Sequence, residues 1–220
     1  MVLPGRHAPV IAAVFAWPLA TATPDVPADA ATAARWTFRV MLDDQAIGEH
    51  RFNLGAANEA GERTLVSEAT FSVRWLGIPV YRYRHRAVER WRGDCVIGLS
   101  ADTDDNGTRT RVSAQAQGEQ FEVSAPAPQS ARGCMMSFAY WQPGLRTQQR
   151  LLNAQTGRIE PVRVTALGEA PVEVGGRSVG ALGWRISGPT QPIDVWYSAQ
   201  GDWIGLDARV EGGRTLKYRR

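Results

Sequence analysis

The stretch from Val80 to Trp91 alternates without a break between two chemistries. One parity holds Tyr81, Tyr83, His85, Ala87, Glu89 and Trp91, and the other holds Val80, Arg82, Arg84, Arg86, Val88 and Arg90. Successive side chains of an extended strand point to opposite faces, so this segment reads as a strand with one side for an interior and one for water. The interior side carries two groups that are costly to bury, His85 and Glu89, and each needs a hydrogen-bonding partner there. Four residues apart on a strand they stand roughly 13 Å from one another, too far to partner each other.

The same period recurs along the chain. In Arg35 to Leu42, Trp36, Phe38, Val40 and Leu42 share a face. In Leu65 to Trp75, Leu65, Ala69, Phe71, Val73 and Trp75 are expected to point inward. Ala46–Leu54, Cys95–Ala101, Thr108–Ala116 and Gln120–Ser124 are further strands, and shorter ones follow from Glu160 to Arg219, separated by Gly or Pro turns. Leu76-Gly77-Ile78-Pro79 is read as an interruption, and Asp102 to Gly107 as a polar turn. One short helix is expected over Leu145–Asn153, where Leu145, Gln148, Gln149 and Leu152 recur at helical offsets. The expected fold is all-β, an antiparallel sheet curled into an open or partly closed barrel, with a two-sheet sandwich as the alternative.

The N-terminus reads as an export signal. Arg6 lies in a short leading region, Ala8 to Leu19 are almost wholly apolar, and Ala20-Thr21-Ala22 has the small-x-small pattern of a cleavage site. The apolar stretch falls short of the roughly 20 residues that span a bilayer, and Pro9 and Pro18 oppose a stable buried helix. Residues 1–22 are therefore expected to be a signal peptide, 23–34 a flexible leader of Ala, Pro, Thr and Asp, and 35–220 one β-rich domain in the periplasm or otherwise exported. No cysteine near Ala22 supports a lipid anchor, and no span is expected in the mature chain.

Removing Arg6 with the signal leaves 24 basic against 22 acidic residues. That balance, without a Lys/Arg block, recognition helix or zinc-finger spacing, excludes a nucleic-acid-binding reading. In an exported chain the two cysteines, Cys95 and Cys134, are most simply one disulfide, with two free buried thiols as the alternative. Such a bond closes a loop of about 40 residues and stabilises by roughly 4 kcal/mol in the loop-entropy picture.

Chemistry-bearing motifs are few. Tyr81, Tyr83, His85, Glu89 and Trp91 form either a satisfied internal polar network or the polar end of a ligand pocket. Arg82, Arg84, Arg86 and Arg90 form either an ordinary solvated face or a surface for phospholipid headgroups and other anions. Asp102-Thr103-Asp104-Asp105-Asn106-Gly107 opens like a calcium loop, but Ser113 stands where the bidentate Glu belongs, and Asn-Gly marks a hairpin turn. Zinc is unsupported, since the mature chain holds only His50 and His85 beside its paired cysteines. The Gly-Gly pieces at residues 175–176 and 212–213 lack a phosphate-loop context, and no G-x-S-x-G elbow is present, so no cofactor, metal or catalytic residue is assigned. Met135 to Trp141 (MMSFAYW) is either a core plug or an adaptable surface for an apolar ligand.

The chain resembles an uncharacterised family of exported bacterial proteins, domain of unknown function 6134. The resemblance rests on Trp36-x-Phe38-x-Val40, Ile47-Gly48-x-His50, Tyr83-x-His85-x3-Glu89-x-Trp91, Cys95, Thr103 to Gly107, Cys134 to Trp141, Leu151 to Gly157, and Asp194-x-Trp196-Tyr197-x5-Trp203-x-Gly205-Leu206. It implies a periplasmic protein and transfers no catalytic residue. Some relatives lie beside genes for membrane fatty-acid modification, which points toward lipids. It adds His50, Asp104, Asn153 and Gln155 to the residues of interest. The expected task is binding or carrying an apolar or lipid ligand in the envelope. The alternatives are an enzyme acting on a lipid or glycan, with His85 and Glu89 as acid and base, and a structural partner of an envelope protein complex.

Overall fold

A computed structural model describes residues 32–188 and 191–220; the signal segment and most of the leader lie outside the described residues. Among the described residues fifteen strands form in chain order: β1 Thr32–Leu42, β2 Gln45–Gly55, β3 Glu62–Trp75, β4 Ile78–Arg92, β5 Cys95–Asp105, β6 Thr108–Gln117, β7 Gln120–Ser124, β8 Gln129–Arg132, β9 Arg150–Leu152, β10 Ile159–Pro161, β11 Arg163–Val174, β12 Arg177–Ser187, β13 Ile193–Tyr197, β14 Trp203–Arg209 and β15 Thr215–Arg219. Thirteen of them make one antiparallel sheet in the order β11-β12-β13-β14-β15-β1-β2-β3-β4-β5-β6-β7-β8, and β9 and β10 pair separately. The C-terminal strand thus closes onto the first one, with Val40 opposite Tyr218.

The antiparallel all-β expectation holds. No ladder among the described residues joins β11 to β8, so the sheet keeps two edges and fits an open, sandwich-like arrangement better than a closed barrel. β1 starts at Thr32, three residues ahead of the expected domain boundary, because Thr32 and Ala34 already pair with Gly55 and Leu54. The expected helix is shortened and displaced. A 3₁₀ turn covers Pro143–Thr147, while Arg150–Leu152 is strand, since Leu152 pairs with Ile159. A second 3₁₀ turn lies at Glu211–Gly213.

Two turns are tighter than the sequence suggests. β3 and β4 meet through Leu76-Gly77 alone, with Trp75 paired to Ile78, so Pro79 sits within a strand rather than in an interruption. β5 runs on through Asp105, leaving Asn106-Gly107 as the two-residue turn. Both Asn106 and Gly107 have positive φ, the conformation that an Asn-Gly hairpin supplies. Gly107 N–H donates to Asp104 Oδ1 at 2.8 Å, so Asp104 closes a hairpin.

The alternation in β4 survives in three dimensions: Tyr83, His85, Ala87, Glu89 and Trp91 are buried while the arginines are exposed. Phe38, Val40, Leu65, Ala69 and Phe71 join them on one buried face. The side chain of Trp75 lies outside what is described. Against this face lies the segment from Cys134 to Val162. Met135, Met136, Ser137, Ala139, Leu145, Leu151 and Leu152 are buried in the core, and Phe138, Tyr140 and Trp141 pack against it. Trp141 meets Trp36 and Trp91 at centroid distances of 6.2 and 5.3 Å, and Tyr197 Oη donates to the carbonyl of Tyr140 at 2.7 Å. Met135–Trp141 is thus a plug in the core.

The Cys95–Cys134 disulfide forms and ties the start of β5 to the start of this plug. Val96 N–H donates to the Met135 carbonyl, and Leu152 N–H to that of Met136, both at 2.8 Å. Reducing the bond, or the double substitution C95A/C134A, is expected to lower the unfolding free energy by about 2–4 kcal/mol. Urea titration followed by tryptophan fluorescence measures this; an unchanged midpoint contradicts the anchoring role.

Candidate functional site

Register across the sheet sets up the site. One inward row runs Phe38, His50, Ala69, His85 and Thr103 across β1 to β5; the next runs Val40, Gly48, Phe71, Tyr83 and Asp105. The two histidines therefore flank a small residue two strands apart, about 10 Å at ordinary strand spacing. Gly48 lies opposite Phe71, and a Cβ there would lie 2.0 Å from the Thr70 carbonyl oxygen, so the close approach of β2 to β3 requires glycine.

Around these rows opens a cleft of about 780 Å³. His50, Ala69, Phe71, Tyr83 and Tyr218 line its depth, and Tyr81, Asp105, Gln155 and Arg214 are among the polar residues at its sides. Phe71 and Tyr83 stack at 5.1 Å. Burial, with a smaller contribution from the neighbouring Asp105 carboxylate, holds the Tyr81 hydroxyl well above the ordinary tyrosine range. Arg214 is held by Asp43, with Nε donating to Oδ2 at 2.9 Å. The Tyr83 hydroxyl is different: it is buried and finds no partner among the described residues. Leaving such a group unsatisfied costs on the order of 1–3 kcal/mol.

His50 is held on both sides of its ring, with Nε2 2.7 Å from Ser67 Oγ and Nδ1 3.2 Å from Tyr218 Oη. It also stacks on Phe52 at 4.0 Å. Burial, with a smaller contribution from His85, pushes its pKa down to about 3. Burial alone lowers His85 to about 4. His85 Nδ1 lies 2.9 Å from Thr103 Oγ1, so the residue expected in a polar turn is an inward strand residue. Both imidazoles are neutral near pH 7.

The candidates divide into those the cleft gathers and those it does not. Tyr81, Tyr83, His50 and Gln155 line it; His85 lies one position away, behind Ala69. Glu89 and Trp91 belong to a closed network beneath the plug. Trp91 Nε1 and Ser137 Oγ both donate to Glu89 Oε2 at 2.9 Å. Burial raises the Glu89 carboxyl to about 7, against the lowering effect of those two donors. Asn153 shapes the turn after β9: its Oδ1 accepts from Gln155 N–H and its Nδ2 donates to Glu160. Phe71, Tyr218, Leu216 and Arg214 were not among the candidates. The inward parity of Phe71 was visible in β3, whereas nothing local to β15 marks its residues for this cleft.

On the outer face, strand register supplies the arginines with acids that their own side of β4 lacks. Arg51, Glu68, Arg86, Asp102 and Arg111 lie in one cross-strand row, and Arg84 stands opposite Asp104 in the next. Arg86 Nε reaches Glu68 Oε1 at 3.2 Å, and Arg111 Nε reaches Asp102 Oδ1 at 3.3 Å. Arg90 lies over Gly98, where a Cβ would come within 2.8 Å of its guanidinium. Such exposed pairs are worth little stability, but they make most of this face a mixed-charge surface.

The chain belongs to the family described as domain of unknown function (DUF6134), which it matches over residues 38–220. Among solved structures it is similar to a β-barrel-like protein of domain of unknown function DUF1849 from Brucella abortus. The TM-score is 0.59 at 10% identity, over 84% of this chain and 94% of that one. At that identity the likeness concerns the fold alone. No curated protein matches the chain.

The opposite shifts of the histidines and Glu89 have a measurable consequence. Between roughly pH 4.5 and 6.5 the unfolded chain takes up protons at His50 and His85 that the folded one excludes, so acidification destabilises. Over the same window the folded state holds a proton on Glu89 that the unfolded state has released, which opposes that trend. E89Q removes the opposing contribution, and its stability is expected to fall more steeply than wild type between pH 6.5 and 4.5. Urea midpoints across that range test this; parallel profiles contradict the assignment.

Proposed function

We propose that this DUF6134 protein is a non-catalytic binder of an apolar or lipid molecule that carries one polar group, held in the cleft between β2–β5 and β15. The observation that carries the reading is the Tyr83 hydroxyl, buried without a partner among the described residues beside the aromatic walls of a cleft. Ligand sites are commonly apolar cavities of this size with a few placed polar groups, and a hydroxyl of this kind gains its missing hydrogen bond when a ligand arrives. We further propose that the protein works outside the cytosol, as the leading 22 residues suggest. Among the described residues no helix is long and apolar enough to cross a membrane.

The barrel-like curl is also part of this reading. One short segment reaches far-apart strands: Arg146 lies over Trp184 and Tyr197 of β12 and β13, while Gly157 packs near Val112 and Val123 of β6 and β7. Strands lie about 4.8 Å apart, so a flat sheet would set β13 and β6 about 38 Å apart, near the full stretch of an extended segment of this length, whereas this one folds back in the turn at Asn153–Arg158. A sheet that bends around the plug accounts for both contacts and gives the cleft its walls.

The enzymatic alternative has less support. Ser67 and His50 stand like a nucleophile and its base, but Ser67 is buried and is not among the residues lining the cleft. The β3 backbone around Ser67 lies in ladders with β2 and β4 on either side. His50, held near pKa 3, is a weak base at neutral pH. His85 and Glu89 are buried and committed to Thr103, Trp91 and Ser137.

Y83F tests the binding reading because it predicts effects of opposite sign. Deleting an unsatisfied hydroxyl should leave the ligand-free protein as stable or up to about 2 kcal/mol more stable. It should also weaken binding of a fluorescent fatty-acyl probe by roughly tenfold, the worth of about one hydrogen bond. Probe titration and urea unfolding read the two effects; a destabilised Y83F that binds the probe as tightly as wild type sinks the assignment.

A further inference from the structure

The β3–β4 hairpin overreaches its neighbours. Pairing of β2 with β3 stops at Gly48–Phe71, and the last bond of β4 to the β5–β6 hairpin is at Arg82, whose carbonyl accepts from Asn106 N–H at 2.8 Å, so residues 72–81 continue as a two-stranded finger. Its tip is apolar and open to solvent: Leu76 is 80% exposed, Ile78 64% and Val80 51%. Leu76 also adopts φ 50°, a left-handed conformation that a leucine rarely takes and that Asn or Gly would satisfy at lower cost. A leucine in that position breaks a local rule in order to present an aliphatic side chain at the tip, which points to function.

The charges of the finger are one-signed. Residues 72–84 include Arg74, Arg82 and Arg84 and no acid. Arg84 faces Asp104, but the cross-strand partners of Arg82 and Arg74 are Ser72 and Pro79. On the buried side of the same finger, Val73 and Tyr81 line the cleft.

We propose that this tip docks on an anionic lipid bilayer, with Leu76, Ile78 and Val80 entering the headgroup layer and Arg74 and Arg82 against lipid phosphates. Shallow apolar insertion next to basic residues is the interfacial binding mode. A protein partner is the less fitting occupant, because a stable protein interface buries roughly 1,600 Å² in total and a two-residue turn offers only a small part of that. The cleft would then open at the foot of the membrane-bound finger. The docking goes beyond the ligand-binding reading and stands without it.

Flotation of residues 23–220 with phosphatidylcholine vesicles, with and without phosphatidylglycerol, tests the docking. The protein is expected to float with the anionic vesicles, less with neutral ones, and less as salt rises. L76N/I78T is expected to cut binding at least about tenfold, and R74Q/R82Q to abolish the preference for anionic lipid. Asparagine suits the turn, so thermal midpoints should be kept. An environment-sensitive dye on I78C gives a second readout and should shift to the blue on anionic vesicles. Wild-type protein that floats with neither vesicle, a floating L76N/I78T, an unshifted dye, or a hairpin that captures an envelope protein but no vesicle each overturns the proposal. Flotation without acyl-probe binding would leave the docking intact and remove the ligand reading; probe binding without flotation would do the reverse.

Discussion

The segment from Cys134 to Val162 is pinned to the buried face of the sheet, and the interior depends on that attachment. The Cys95–Cys134 bond fixes one end, and the backbone bonds of Met135 and Met136 to Val96 and Leu152 carry the chain along the face. Trp141 then fills the space between Trp36 and Trp91. The same attachment makes the burial of Glu89 tolerable, because it delivers the Ser137 hydroxyl to a carboxyl that its own strand supplies only with Trp91. Without the plug, an antiparallel sheet of this width would expose an apolar face and a buried acid together.

Packing is uneven, and the unevenness locates the cleft. Around Phe38, Trp203 and Tyr140 the rings meet at 4.3 to 5.3 Å. Beyond His50 a small residue stands among large ones: Ala69 lines the cleft beside Phe71, Tyr83 and Tyr218, while Gly48 is required by the close approach of the β3 backbone. The plug serves the first region and reaches the second through Gln155. A protein selected only for stability would fill that space and pair the Tyr83 hydroxyl; an open cleft with an unsatisfied hydroxyl is the kind of local cost that functional sites keep.

Much of the architecture was readable because strand alternation is local. The inward set of β4 and the Asn106-Gly107 turn follow from neighbours in the chain, and the plug was one of two open readings of Met135–Trp141. Glu89 and Trp91 were legible as buried but not as removed from the cleft, since Ser137 lies 48 residues away. The helix expected at Leu145–Asn153 failed because Leu145, Gln148 and Leu152 fit a helical period, while β10 supplied ladder bonds for residues 150–152. Thr103 reads as a turn residue because its polarity matches one; its inward position follows from pairing with His85. The arginine face of β4 reads as free of acids because Glu68 and Asp102 lie on other strands. The contact of His50 with Tyr218 spans 168 residues and had no local signal at all.

The central claim is that the cleft beside Tyr83 holds a ligand through that hydroxyl. A crystal structure of the protein purified from its native source tests it most directly. The account predicts an extended, largely apolar molecule along Phe71, Tyr83 and Tyr218, with a polar atom within about 3 Å of Tyr83 Oη. A cleft filled only by solvent or by repacked side chains, with the Tyr83 hydroxyl bonded to a protein group, would contradict it.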